Sequence, residues 1–156
     1  MPQMKITQVQ LQLIERMGLI LERMGLQPAA ARIDALLLVS DELELTFDEI
    51  REILKISKSA TSNALNMLLT MERVEYITRP GERKRYFRSK IGSWKESLSK
   101  RFRETETIHS LMKEILEQRP AGTGDFNKSM EEFISLFDYL HKEIPAIFKK
   151  WEAGRK

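Results

Sequence analysis

From Ile6 to Met24, apolar residues fall at Ile6, Val9, Leu13, Ile14, Met17, Ile20, Leu21 and Met24, and steps of three and four predict an amphipathic helix. The segment repeats Glu-Arg-Met-Gly-Leu at 15–19 and 22–26, one heptad apart, and two copies are too few for a stacked-repeat fold. Gly18 lies inside the periodic stretch, where it costs up to about 1 kcal/mol unless a close packing contact requires it, and Gly25 suits the terminating turn. Pro28 suits a helix start, and Ala29 to Val39 predicts a short buried helix with Ala29, Ile33, Leu36 and Leu37 inward. Residues 42–46 alternate polar and apolar, as a small edge strand does. Thr46-Phe-Asp-Glu49 is a capping box that opens a short helix through Ile50, Ile53 and Leu54, broken at Lys55-Ile56.

Ser57 is the next N-cap, opening a helix to about Met71 with Ala60, Ala64, Leu65, Leu68 and Leu69 inward. Its other surface carries Lys58, Ser59, Thr61, Ser62, Asn63 and Asn66. Most of these are poor helix formers, an odd choice for a face that meets only water. Val74–Arg79 and Lys84–Arg88 then read as two strands around Pro80-Gly81-Glu82-Arg83, where proline and glycine fit the central positions of a type II turn. Tyr76, Tyr86 and Phe87 give the hairpin its strand character.

The remainder has a different period. Ile91, Trp94, Leu98, Arg101 or Phe102, Thr105, Ile108, Met112 and Ile115 mark one long helix from about Ser93 to Gln118. Arg119-Pro-Ala-Gly-Thr-Gly124 is a linker, and a second seam follows through Met130, Phe133, Phe137, Leu140, Ile144, Ile147 and Trp151, with Pro145 expected to kink or interrupt it. Eight of the twelve aromatic residues lie between Trp94 and Trp151. Single apolar stripes of this length require a recipient, and a two-fold partner chain is the expected one. The fold class is therefore mainly α: a winged helix-turn-helix over residues 28–90, with long terminal dimerisation helices over 1–27 and 91–156.

Charge sharpens this picture only when divided along the chain. The net +3 splits into −3 over residues 1–78, +5 over 79–90 and +1 over 91–156. Twelve residues at the hairpin thus carry more positive charge than the whole protein, a footprint suited to a polyanion. A recognition helix beginning at Ser57 can place Lys58 on a phosphate and present Ser59, Thr61, Ser62, Asn63 and Asn66 to base edges. The hairpin can bring Arg79, Arg83, Lys84, Arg85 and Arg88 to adjacent phosphates or a minor groove. Double-stranded DNA is the expected partner.

Other chemistries find little support. There are no cysteines, hence no disulfides or thiolate metal ligands, and with no apparent signal segment the chain is expected to be cytoplasmic. The most apolar run, Ala35 to Val39, falls far short of the roughly 18 residues of a membrane span. His109 and His141 are too isolated to build a metal site, and Gly122-Thr-Gly124 follows a linker rather than a strand. Asp41, Glu42, Glu44, Asp48 and Glu49 read as a solvated acidic run plus a helix cap. No enzyme activity, cofactor or metal is expected. The competing readings are a winged-helix protein-interaction module, an RNA-binding winged helix, and a small hydrolase for which no catalytic constellation is present.

Four stretches carry a family resemblance: Glu22-Arg-Met-Gly-Leu-Gln-Pro-Ala-Ala-Ala-Arg-Ile33, Leu45-Thr-Phe-Asp-Glu-Ile50, Ile56-Ser-Lys-Ser-Ala-Thr-Ser-Asn-Ala-Leu65 and Pro80-Gly-Glu-Arg-Lys-Arg-Tyr86. Over roughly residues 10–90 the chain resembles the GbsR branch of the MarR-type winged-helix transcriptional regulators. The resemblance implies a homodimer on a palindromic operator, DNA-facing Ser59, Ser62 and Asn63, and wing contacts from Arg83 and Arg85. It also implies terminal helices that build the dimer interface, and a small-molecule effector, choline in the branch's namesake. Two departures stand out. Glu72-Arg73-Val74 replaces the usual Gly-Leu-Val, so the easy left-handed turn after the recognition helix is expected to be missing. Thr61 replaces an aliphatic residue, so its hydroxyl must find a local carbonyl.

Overall fold

A computed structural model describes residues 6–155, which form two compact units, one ending at Trp94 and the other beginning at Lys95. The elements are α1 (Gln8–Arg23), α2 (Pro28–Val39), β1 (Leu45–Thr46), α3 (Phe47–Leu54), α4 (Lys58–Thr70), β2 (Val74–Thr78), β3 (Arg85–Ser89), α5 (Trp94–Gln118) and α6 (Gly124–Ala153). The fold is mainly helical, a winged helix-turn-helix with long helices at both ends. Among the described residues no helix is long and apolar enough to cross a membrane. Of the expected N-terminal segment 1–27, residues 1–5 lie outside the described residues; α1 packs on α2 within the first unit.

Reciprocal bonds between Thr7 and Gln10 cap α1, and Gly25 ends it at φ +98°, with the Leu26 N–H donating to the Leu21 carbonyl at 3.1 Å. Gly18 has the packing reason that its position demanded. A Cβ there would stand 3.1 Å from Cγ of Arg32, whose guanidinium crosses α1 to reach Glu15 at 3.2 Å and also bonds Glu22. Helix α2 supplies the centre of the core: Ala30, Ala31, Ile33, Ala35 and Leu36 are fully enclosed, with Ile14, Leu45, Ile50 and Leu68 packed around them.

The sheet order is β1-β3-β2, all antiparallel, with Leu45 opposite Phe87, Thr46 opposite Tyr86 and Tyr76 opposite Phe87. The edge strand expected over 42–46 is reduced to its last two residues, enough to seat Leu45 and Phe87 in the core beside α2.

In the second unit, α5 and α6 are tied by His109, whose Nε2–H donates to the Ile134 carbonyl at 2.8 Å, by Lys113–Asp138 at 2.8 Å, and by Lys95–Glu152 at 2.8 Å. His141 donates its Nδ1–H to the Phe137 carbonyl at 2.8 Å. Helix α6 runs through Pro145 without the interruption that was one of the two expected outcomes. Proline removes the bond to the His141 carbonyl, but Pro145 lies on the exposed side, where water can take that carbonyl, while Ile144 and Phe148 remain half-buried on either side of it.

Candidate nucleic-acid interface

Helices α3 and α4 owe their sharp starts to side-chain caps. The Glu49 N–H donates to Thr46 Oγ1 at 3.3 Å, while Glu49 Oε2 accepts the Thr46 N–H at 2.7 Å. Lys55 turns the chain in the left-handed region at φ +53°, and Ser57 Oγ accepts the Ala60 N–H at 3.2 Å. Ser57 Oγ also bonds Ser59 Oγ at 3.1 Å, so Ser57 is occupied in building the helix start.

The two faces of α4 separate as the periodicity requires. Ala64, Leu65 and Leu68 are buried, and Lys58, Ser59, Ser62, Asn63 and Asn66 are exposed. Thr61 is a correction. Counted on the sequence among the outward polar residues, it is fully buried, and its hydroxyl donates to the Ser57 carbonyl at 2.9 Å. Its position relative to Ala64, Leu65 and Leu68 turns it inward, and the bond to the preceding turn satisfies the hydroxyl without water.

The Glu72-Arg73-Val74 departure is a correction as well, since the left-handed turn expected to be missing is present. Glu72 takes the left-handed conformation without glycine, at φ +55°. The Arg73 N–H donates to Leu68 and the Glu72 N–H to Leu69, both at 3.0 Å, which closes α4 in a Schellman motif. Arg73 is itself anchored: its Nε–H donates to the buried Asp34 of α2 at 2.8 Å. That ion pair joins residues 39 apart and fixes the residue that follows Glu72, whose left-handed conformation costs a side chain roughly 1–2 kcal/mol.

At the wing tip the Glu82 N–H donates to the Arg79 carbonyl at 3.1 Å with Gly81 at φ +81°, as the type II reading of Pro80-Gly81 requires. The five hairpin cations then divide. Arg79 is paired with Glu44 at 2.9 Å and lies over the Tyr86 ring; Arg88 is paired with Glu75 at 2.6 Å and Glu44 at 3.5 Å. Glu44 raises the Arg79 pKa further above its ordinary value through their hydrogen bond. Among the described residues Arg83, Lys84 and Arg85 have no carboxylate partner; Arg85 stands over the Tyr76 ring at 5.2 Å.

Those three cations meet the outer face of α4. One groove of about 370 Å³ is lined by Ser62 and Asn66 from α4, Asp48 from α3, and Arg83, Lys84 and Arg85 from the wing. Lys58, Ser59 and Asn63 are exposed on α4 but do not line it. Sequence reasoning took Glu44 for part of a solvated acidic run. Its pairing partners lie 35 and 44 positions along the chain, and only the alternation at 42–46, which aims Leu45 inward, hinted at its place beside the strands. The sequence reading gave Asp48 no place at the groove.

No protein-family model matches the chain, and no curated protein matches it. Among solved structures, a transcriptional regulator matches with a TM-score of 0.75 at 21% identity, over 93% of this chain and 99% of that one. The wild-type apo MarR of E. coli aligns with a TM-score of 0.43 at 15% identity, over 90% and 97%. An E. coli MarR mutant complexed with operator DNA aligns with a TM-score of 0.40 at 15% identity, over 88% and 86%. The first likeness is one of fold and extends over nearly the whole of both chains.

Proposed function

We propose that this chain is a sequence-specific, double-stranded-DNA-binding transcriptional regulator that acts as a homodimer, a repressor of the MarR type and of its GbsR branch. The observation that carries the reading is the groove in which Ser62 and Asn66 face Arg83, Lys84 and Arg85. Short donor and acceptor side chains on a capped second helix suit base edges in a major groove, and unpaired cations on a projecting hairpin suit phosphates. Arg79 and Arg88, already paired, brace the wing in this reading, and Ser57 and Thr61 shape the helix, leaving Lys58, Ser59, Asn63 and the groove residues to meet DNA.

The homodimer rests on the second unit and on α1. Ile108, Leu111 and Ile115 form an exposed stripe on α5, Phe133, Leu136 and Ile147 another on α6, and Val9, Leu13, Ile20 and Met24 a third on α1. Exposed apolar rows of this length are what a second copy would bury. The proposal puts the protein in the cytoplasm, and the resemblance extends it to a small-molecule effector whose identity no residue here specifies.

Selection from genomic DNA fragments by the purified protein tests the reading, with recovery of one inverted repeat as the expected result. Neutralising Arg83, Lys84 and Arg85 in both protomers removes six phosphate contacts and should flatten the slope of log affinity against log salt by about 5. A folded triple variant with an unchanged slope, or selection that enriches nothing, would transfer support to the protein-interaction module.

A further inference from the structure

The wing and the strand beside it hold more cations than acids, and each acid is accounted for. Glu44 takes Arg79 and Arg88, and Glu75 takes Arg88. Glu82 is the acid at the tip, adjacent to Arg83 and within three positions of Lys84 and Arg85, yet it pairs with none of them. Its Oε2 instead accepts the Tyr86 hydroxyl at 2.6 Å. The backbone of Glu82 is fixed as well, through its N–H on the Arg79 carbonyl. The Arg79 guanidinium in turn covers the Tyr86 ring, 4.1 Å from its centroid. Tyr86 is thus held from one face by a cation and at its hydroxyl by the carboxylate.

We propose that Tyr86 is a positioning residue of the wing: its hydroxyl holds the Glu82 carboxylate away from Arg83, Lys84 and Arg85 and so keeps those cations available to phosphate. This rests on the DNA-binding reading. An exposed carboxylate beside three cations gains from pairing with any of them, and a guanidinium so paired has less to offer a phosphate. A short hydrogen bond from a neutral phenol satisfies the carboxylate without consuming a cation. The Tyr86 phenol is accordingly pushed above its ordinary pKa, first by its bond to Glu82, and remains a donor across the neutral range.

Tyr86→Phe tests the hydroxyl alone, since the ring and its contact with Arg79 remain. Duplex affinity is measured across salt concentrations for the wild type, Y86F, E82Q and the double variant. Released Glu82 should occupy one cation per protomer, flattening the salt slope of a dimer by about 2 and lowering affinity roughly tenfold at 0.1 M salt. On the E82Q background the same substitution should change neither quantity, because no carboxylate is left to restrain. No loss in Y86F, or equal losses on both backgrounds, would overturn the proposal. A second readout needs no DNA: side-chain nitrogen NMR of the free protein should show slowed rotation at Arg83, Lys84 or Arg85 in Y86F and its reversal in the double variant. If the wild type binds no duplex, the DNA reading fails, and unchanged side-chain rotation in Y86F would separately overturn the role of Tyr86.

Discussion

Helices α2 and α6 are both rich in apolar side chains, yet α2 encloses nearly all of its own while α6 leaves Phe126, Phe133, Leu136, Tyr139, Ile147 and Trp151 between 39% and 61% exposed. Among the described residues, every buried apolar side chain other than Met130 and Ile134 belongs to the winged unit. That unit surrounds α2 with three helices and a small sheet, whereas the other has two helices and a pair of apolar stripes facing outward. The first has a core of its own and presents both the polar face of α4 and the exposed apolar row of α1. The second leaves most of its apolar residues at the surface, where the second copy proposed above would cover them.

The sharpest way to break this comparison is to damage each unit separately. Leu36→Ala, at a fully enclosed position of α2, should cost about 4 kcal/mol of unfolding free energy at every protein concentration, read from urea titrations. Leu111→Asp on the exposed stripe of α5 should instead cost about 2–3 kcal/mol of association per protomer. Sedimentation equilibrium at micromolar concentration should then move from about 37 kDa, twice the chain mass of 18.3 kDa, toward a single chain. An 18 kDa wild type would show that the stripes serve something other than a second copy.

Smaller effects sharpen the division within the winged unit. Asn66→Ala should leave the urea midpoint in place and weaken a selected operator by about 2 kcal/mol, with little loss on random duplex; the same change at Asn63, outside the groove, should cost less. Equal losses on both DNAs would remove Asn66 as a base reader. Glu72→Gly should stabilise the protein by about 1 kcal/mol by relieving the left-handed backbone, checked by thermal melting.

The smallest effect belongs to the second unit. The Lys113 ammonium holds the Asp138 carboxyl below its ordinary value. A lowered carboxylate contributes stability above its unfolded pKa and loses it as pH falls through the folded one, so this tie should persist until the solution is more acidic than an ordinary aspartate requires. Carboxyl NMR titration reads it directly, and Lys113→Met should move Asp138 back toward the ordinary range.

Local signals carried most of what could be read from the residues. The Thr46–Glu49 capping box, the Ser57 cap, the Pro80-Gly81 turn and the inward row on α4 depend on neighbours within four positions, and each is present as expected. Most of what escaped depends on distant partners. Asp34 gave no sign that it would be buried against Arg73, 39 positions away, whereas the outward place given to Thr61 was a local misreading, since Ser57 and Leu65 each stand four positions from it. Arg79 and Arg88 counted as free charges because their pairing with Glu44 requires β1 and the wing to meet. Pro145 differs in that the helix continues past it without interruption, with the proline on the exposed side.

The closure of α4 also bears on motion. With the Glu72 and Arg73 amides donating to the last turn and the Arg73 guanidinium seated on Asp34, the end of the helix has no inexpensive way to fray. Amides there are expected to exchange with deuterium through the same rare openings as the interior of α2, rather than by the shallow fluctuations common at helix ends. Whatever tilts the outer face of α4 must therefore swing α2 with it, as a lever carries its fulcrum block.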